Sequence, residues 1–315
     1  MAFTTPWSTA KPTPAAGPPT EPGRVKLLGR IPPPLRLFLF VLFILFLWYG
    51  VIGTLRAGIE VDLALRPSAT QLPPGGSVTV GMAARLLEDQ VEDRAFTPND
   101  PAFYPTGLAR RTPAFQAALV KTTAAAVDAL AAATPSPDLA AAAASLSVSP
   151  TLWWLRAGWP PVGLPAERHF ARAIASLEAH NAALAARTPA AAPARRGLDP
   201  AGRLALAALM EAVEAEAARG DAVIRGTADT PAARQLAEAR GTAFAAALLM
   251  RAIRDDNAAA IRLSGKAARW GEAIDALDAA AGLDPMFVRQ DDLVRAGYSL
   301  LLAGNAMRSI LGEQG

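Results

Sequence analysis

Between Arg36 and Arg56 the chain runs for nineteen residues, LFLFVLFILFLWYGVIGTL, without a charge. As a helix this stretch would be roughly 28 Å long, close to the roughly 30 Å of a bilayer's hydrocarbon core. It is apolar on every face, whereas a helix packed on a soluble core keeps a polar side. Trp48 and Tyr49 stand toward its C-terminal end, where amphipathic rings suit a membrane–water interface. The segment predicts a transmembrane helix over residues 35–55.

Its flanks orient it. Arg24, Lys26, Arg30 and Arg36 precede the apolar run, whereas Arg56 and Arg66 beyond it are mixed with Glu60 and Asp62. Basic residues concentrate on the cytoplasmic side, so the tail is expected in the cytosol and the bulk of the chain across the membrane. A cleaved signal peptide fits less well. The leader is long, the apolar run exceeds a usual h-region, and no A-x-A site follows promptly.

The same division explains the isoelectric point near 9.6. Residues 1–36 carry five basic side chains against Glu21 alone, which leaves 26 basic and 27 acidic residues for positions 37–315. The large domain is electrically balanced, which argues against a phosphate-binding surface and a nucleic-acid partner. Cysteine is absent, so disulfides, thiol catalysis and cysteine-based metal sites are excluded together.

Four regions follow from composition. Residues 1–34 hold nine of the 27 prolines and form a Pro-rich cytosolic tail expected to be disordered. After the span at 35–55, residues 56–76 read as an extended linker ending at Pro73-Pro74-Gly75-Gly76, with a short strand possible at 59–65 or 78–80. Residues 77–315 are Ala-rich, and alanine is the strongest intrinsic helix former. Ser77 is placed to cap a helix running to about Asp93. Thr112-Pro113, Ser149-Pro150, Asp199-Pro200, Thr230-Pro231 and Asp284-Pro285 each set a capping side chain before a proline suited to a first helical turn. Helices are expected near 113–133, 137–146, 165–188, 200–220, 231–254, 264–281 and 291–312, with Gly220 and Gly282 among the stops. Leu204, Leu206, Leu209 and Val213, and likewise Phe244, Leu248, Leu249 and Ile253, fall at core-facing spacing. The fold class expected is all-α, a transmembrane helix followed by a helical bundle outside the cytosol.

Catalytic signatures are missing. No nucleophile elbow, zincin helix, phosphate loop or dinucleotide glycine pattern occurs. His169 and His180 are eleven residues apart, about 16 Å along a helix, too far to share a metal. Asp255-Asp256 and Asp291-Asp292 read as helix-end features, since adjacent helical residues diverge by about 100°. No catalytic residue, metal site or cofactor is assigned.

Two segments concentrate side chains suited to binding. AFTPNDPAFYPTG, residues 95–107, brings Asn99, Asp100, Phe103 and Tyr104 together just before Phe115 and Gln116. TLWWLRAGWPP holds Trp153, Trp154, Arg156 and Trp159, with half of the six tryptophans. Clustered aromatics beside an arginine can stack on sugars or partner side chains, or lie at a membrane surface. The weightier expectation is that a domain poor in aromatics uses these rings to fill space between helices.

The apolar anchor, the GGSVTV helix entry, the TPNDPAFYPT loop and the final DDLVRAGYSLLLAGNAMRSIL helix together resemble a bacterial family of uncharacterised single-pass inner-membrane proteins, domain of unknown function 2333. The likeness covers most of residues 37–312, with the PND-x-x-F-x-P-T block its most specific part. The chain departs just afterwards, where LARRTPAFQ replaces an L-D-N-M-P-N-F-Q-like run. The resemblance implies a bacterial inner (plasma) membrane location with the C-terminal domain in the periplasm, and no activity. The function expected is a non-enzymatic envelope scaffold or accessory subunit binding a protein partner. The alternative is an envelope enzyme acting on peptidoglycan or another glycan, with acids among Asp100, Glu167 and Glu178 and the tryptophans as a sugar platform.

Overall fold

The computed structural model describes residues 32–52, 58–101, 104, 111–155, 162–187 and 197–312. Among them are ten α-helices and no strand. The chain divides into two units, Met1–Phe46 and Leu47–Gly315.

In the first unit the described element is α1 (Pro33–Phe46), which has no buried residue. Such a helix exposes leucine and phenylalanine all round, an arrangement that water penalises and lipid does not. The run Pro33–Gly50 is the one helix among the described residues long and apolar enough to cross a membrane. Residues 53–55 of the expected span lie outside the described residues, as does most of the Pro-rich tail.

The second unit opens with a π-helical turn, Leu47–Ile52. Residues 58–77 then run without a strand, so the short strand considered at 59–65 does not form, and 78–80 is helical. The bundle comprises α2 (Val78–Glu88), α3 (Arg111–Ala133), α4 (Pro137–Leu146), α5 (Ala166–Ala185), α6 (Pro200–Ile224), α7 (Ala232–Asp256), α8 (Ala258–Ser264), α9 (Ala267–Ala281) and α10 (Gln290–Leu311). A π-helical turn, Asp89–Asp93, extends α2 over the length expected.

Helix α7 is the axis of the bundle. Buried residues occur on all its sides from Gln235 to Ile253, and it packs against α2, α3, α6, α9 and α10. Its many alanines let neighbours approach, and Gly241 lets α3 come closest. A β-carbon there would stand 2.2 Å from the carbonyl oxygen of Phe115. Phe115 stacks on Phe244 beside this crossing, ring centroids 6.0 Å apart.

The proline-marked starts divide. At α6 the Asp199 carboxylate accepts from Gly202 N at 2.6 Å, as a cap should. At α7 it is Pro231 that occupies the cap position, with no side-chain bond. At α3 the helix begins at Arg111, so Thr112 and Pro113 lie inside its first turn. Ser149-Pro150 forms a turn and no helix. Asp284 is drawn to Arg240 and Arg111, and the next helix starts only at Gln290. Gly220 does not stop α6, which continues to Ile224. The helix expected over 264–281 is preceded by a separate one, α8, and Gly265 breaks the two with a left-handed backbone, φ 68°. Leu206, Leu209 and Val213 face the core, but Leu204 is 46 % exposed.

The bundle has two ends: the far end, where α7 stops and α2 starts, and the near end, where α2 stops and α7 starts. At the far end Asn181 on α5, fully buried, accepts from Ser77 N and donates to Gln71 O and Ser77 O. Asp256, at the end of α7, accepts from Val78 N at 2.7 Å and from both the amide and the hydroxyl of Thr79, so α7 caps the start of α2. Gly81 permits this crowding: a β-carbon there would meet Gln71 O at 2.9 Å. Ser136 and His180 meet at 2.8 Å at the same end, where burial pushes His180 below the usual imidazole range. At the near end Arg94 pairs with Glu60, Arg111 with Asp284, and Gln290 bonds to Ile224 O.

Candidate functional site

The segment 95–101 has too many prolines and too few donors to make regular structure, so its backbone must be held by side chains. Gln116, in the second turn of α3 and 1 % exposed, does this. Its Oε1 accepts from Thr97 N at 2.9 Å and from Thr97 Oγ1 at 2.8 Å, while Nε2 donates to Ala95 O at 3.0 Å. Phe96 is buried edge-on against Phe170 of α5, ring centroids 5.4 Å apart. A turn follows in which Asp100 N donates to Thr97 O.

Asn99 is buried. Its Nδ2 donates to Glu167 Oε2 at 2.6 Å and to Leu152 O at 3.3 Å, tying the loop to α5 and to the tryptophan segment. Its Oδ1 is buried without a partner. Asp100 is half-buried and lines a cleft of about 370 Å³ with Thr97, Pro113, Thr151 and the Arg234–Glu238 pair. Tyr104 is exposed, its ring edge-on to Trp48 at 6.3 Å between centroids. Phe103 lies outside the described residues, as do Arg156 and Trp159.

The tryptophan segment is described on both sides of residues 156–161. Leu155 and Val162 form an antiparallel bridge, Gly163 N donates to Trp154 O, and Ala166 N donates to Leu152 O at the start of α5. Trp153 and Trp154 lean on each other, centroids 5.1 Å apart. Trp153 is half-buried, but Trp154 is 45 % exposed, with Leu155, Val162 and Leu164 exposed around it. The expectation that these rings fill inter-helix space therefore does not hold for Trp154. The tryptophan that fills the core is Trp270 of α9.

The structure thus joins the two candidate segments at the near end through Asn99, Leu152 and Glu167. Of the candidate acids, Asp100 follows Asn99, which bonds to Glu167, whereas Glu178 stands apart from both segments. Glu167 is engaged by Asn99, and Glu178 lies eleven residues along α5, about 16 Å away. Burial first, then Glu88 and Glu92, holds the Glu178 carboxyl above its ordinary range. Among the described residues no group of three His, Asp or Glu side chains is placed to hold a metal ion.

Several residues that organise the near and far ends carried no signal of their role. Gln116 was visible only as a neighbour of the loop. Asn181, Arg240 and the exposed pair Met286-Phe287 gave none. Arg240 is buried in mid-α7, donating to Ala281 O and Asp284, and burial pushes its guanidinium below its ordinary value. Compared with models of protein families, with curated proteins and with solved structures, the chain matches none.

Proposed function

We propose that the chain is a single-pass inner-membrane protein of the bacterial envelope, related to the family it resembles. Its tail is cytosolic and its helical domain periplasmic, acting as a scaffold or accessory subunit that binds a protein partner. The observation that carries the reading is α1, uncharged from Leu37 to Phe46 and without one buried residue, in a chain whose other described α-helices each hold buried residues. The exposed row Val294, Tyr298, Leu301 and Leu302 along α10 supports a binding role, because such stripes are uncommon on isolated domains. An enzymatic reporter fused after Gly315 should be active only outside the cytosol. Activity of a cytosol-dependent reporter at that position would overturn the topology and the function with it.

One observation favours the second reading, an envelope enzyme acting on glycan: a general acid is served by a raised carboxyl pKa, and Glu178 is shifted in that direction by burial and by Glu88 and Glu92. Against it, Glu178 sits well along α5 from the end that carries the exposed indole of Trp154. Purified full-length protein incubated with cell-wall sacculi is expected to release no muropeptides. Release that disappears in Glu178→Gln would replace the scaffold reading with the enzymatic one.

A further inference from the structure

We propose that the near end of the bundle is a second membrane-contact surface, in which Trp154, Leu155, Val162, Met286 and Phe287 enter the lipid interface. This rests on the membrane-tether reading above and adds an orientation to it.

The first support is where the exposed apolar side chains lie. Met286 and Phe287 are 85 % and 76 % exposed, the barest large hydrophobics among the described residues of the second unit. They follow Asp284, which pairs with Arg111 at the start of α3. Trp154 and Leu155 follow Leu152, which is tied to Asn99, and Val162, bridged to Leu155, precedes exposed Leu164, so all four belong to the same end. Two separate segments, one after α9 and one before α5, thus present exposed apolar side chains.

The second support is the tether. Gly58 and Ile59 line one cleft with Thr112, Phe115 and Gln116, which places the first described residues after the apolar run at the near end. Only residues 53–57 separate Ile52 from Gly58, a contour of at most about 20 Å. Trp48, an interfacial aromatic by sequence, touches Tyr104 of the near-end loop. If the apolar run spans the bilayer, chain length alone keeps this end at the surface and leaves the far end free.

The chemistry of the end suits lipid. Interfacial insertion takes a few aromatic and aliphatic side chains roughly 5–10 Å into the headgroup boundary. Indoles are favoured there because they satisfy a ring and an N–H at once. The neighbouring carboxylates Glu60 and Asp284 are each paired with arginine, Arg94 and Arg111.

The chain has no cysteine, so single labelling sites can be introduced cleanly. Four full-length variants test the proposal, each carrying an environment-sensitive fluorophore: Phe287→Cys, Trp154→Cys, Leu263→Cys at the far end, and Leu42→Cys in the apolar run. They are reconstituted in phosphatidylethanolamine–phosphatidylglycerol vesicles containing spin-labelled lipid. Probes at positions 287 and 154 should be quenched several-fold more strongly than the probe at 263 by a shallow spin label, and the probe at 42 by a deep one. Quenching at 42 with none at 287 and 154 would overturn the contact surface and leave the tether intact. A blue-shifted but unquenched probe at 287 would also overturn it, assigning the patch to a second copy of the chain. Loss of quenching at 42 as well would overturn the membrane reading itself.

Discussion

Replacing Gly241 by alanine should destabilise the bundle by about 3 kcal/mol, the upper part of the usual cost of overpacking a core. In an exposed helix the same change would stabilise, since alanine is favoured over glycine there by roughly 1 kcal/mol. The sign reverses because of what the new methyl would meet. It would stand 2.2 Å from Phe115 O, 3.0 Å from the carbonyl carbon behind it, and 3.2 Å from the Ala118 β-carbon. Two of these atoms are backbone, so no rotamer change relieves the clash. Helix α3 must retreat, and the Phe115–Phe244 stack retreats with it. Gly271 of α9 is the internal control, for an added β-carbon there meets nothing within 4 Å. Thermal unfolding of the full chain in mild detergent, followed by helical circular dichroism, should show a lower midpoint for Gly241→Ala and none for Gly271→Ala. An unchanged midpoint for Gly241→Ala would mean that α3 and α7 do not pack this closely.

How far such features could be read beforehand depends on whether their cause is local. Asp199-Pro200 and Asp284-Pro285 are the same dipeptide, and the first caps a helix as its spacing suggests. The second does not, because a buried arginine on another helix claims its carboxylate. Helical alanine runs, the apolar segment and the irregular loop at 95–101 were legible because composition alone dictates them. Leu204 was not, since periodicity finds a face but not its edge, and this leucine lies just beyond the contact. Asp256 was legible as a helix-end residue, yet the helix it caps begins at Val78, far away in sequence. The candidate site divides in the same way. That Asn99, Asp100 and the tryptophans are unusual could be seen from sequence. That Asn99 is buried against Leu152 and Glu167, that Trp154 is uncovered, and that Met286 and Phe287 share its end are tertiary facts with no local trace.

Gln116→Met should cost about 3 kcal/mol and should loosen the near-end loop before the bundle itself fails, because a buried polar group left without a partner costs roughly 1–3 kcal/mol. Methionine matches the length and apolar volume of glutamine, so packing against Phe115 and its neighbours changes little. What changes is hydrogen bonding. Thr97 N and Oγ1 lose their shared acceptor at a place where Thr97 is 2 % exposed, and Ala95 O loses its donor. The Thr97 hydroxyl can turn elsewhere, but its amide cannot, so the amide carries most of the penalty. Thr97→Val provides the test of cause: it should cost less in the Gln116→Met background than alone, with a coupling of about 1 kcal/mol, as expected for side chains in one network. Limited proteolysis supplies the second readout, with cleavage near 95–101 accelerated while α3 onward stays intact. Simple additivity of the two substitutions, or cleavage no faster than in the parent chain, would mean that Gln116 is not what holds the loop. Asn99 stands in that loop and bonds to Leu152, so loosening at Gln116 reaches the segment that displays Trp154. The polar contacts of Gln116 and Asn99 thus run in one chain from α3 to the exposed indole.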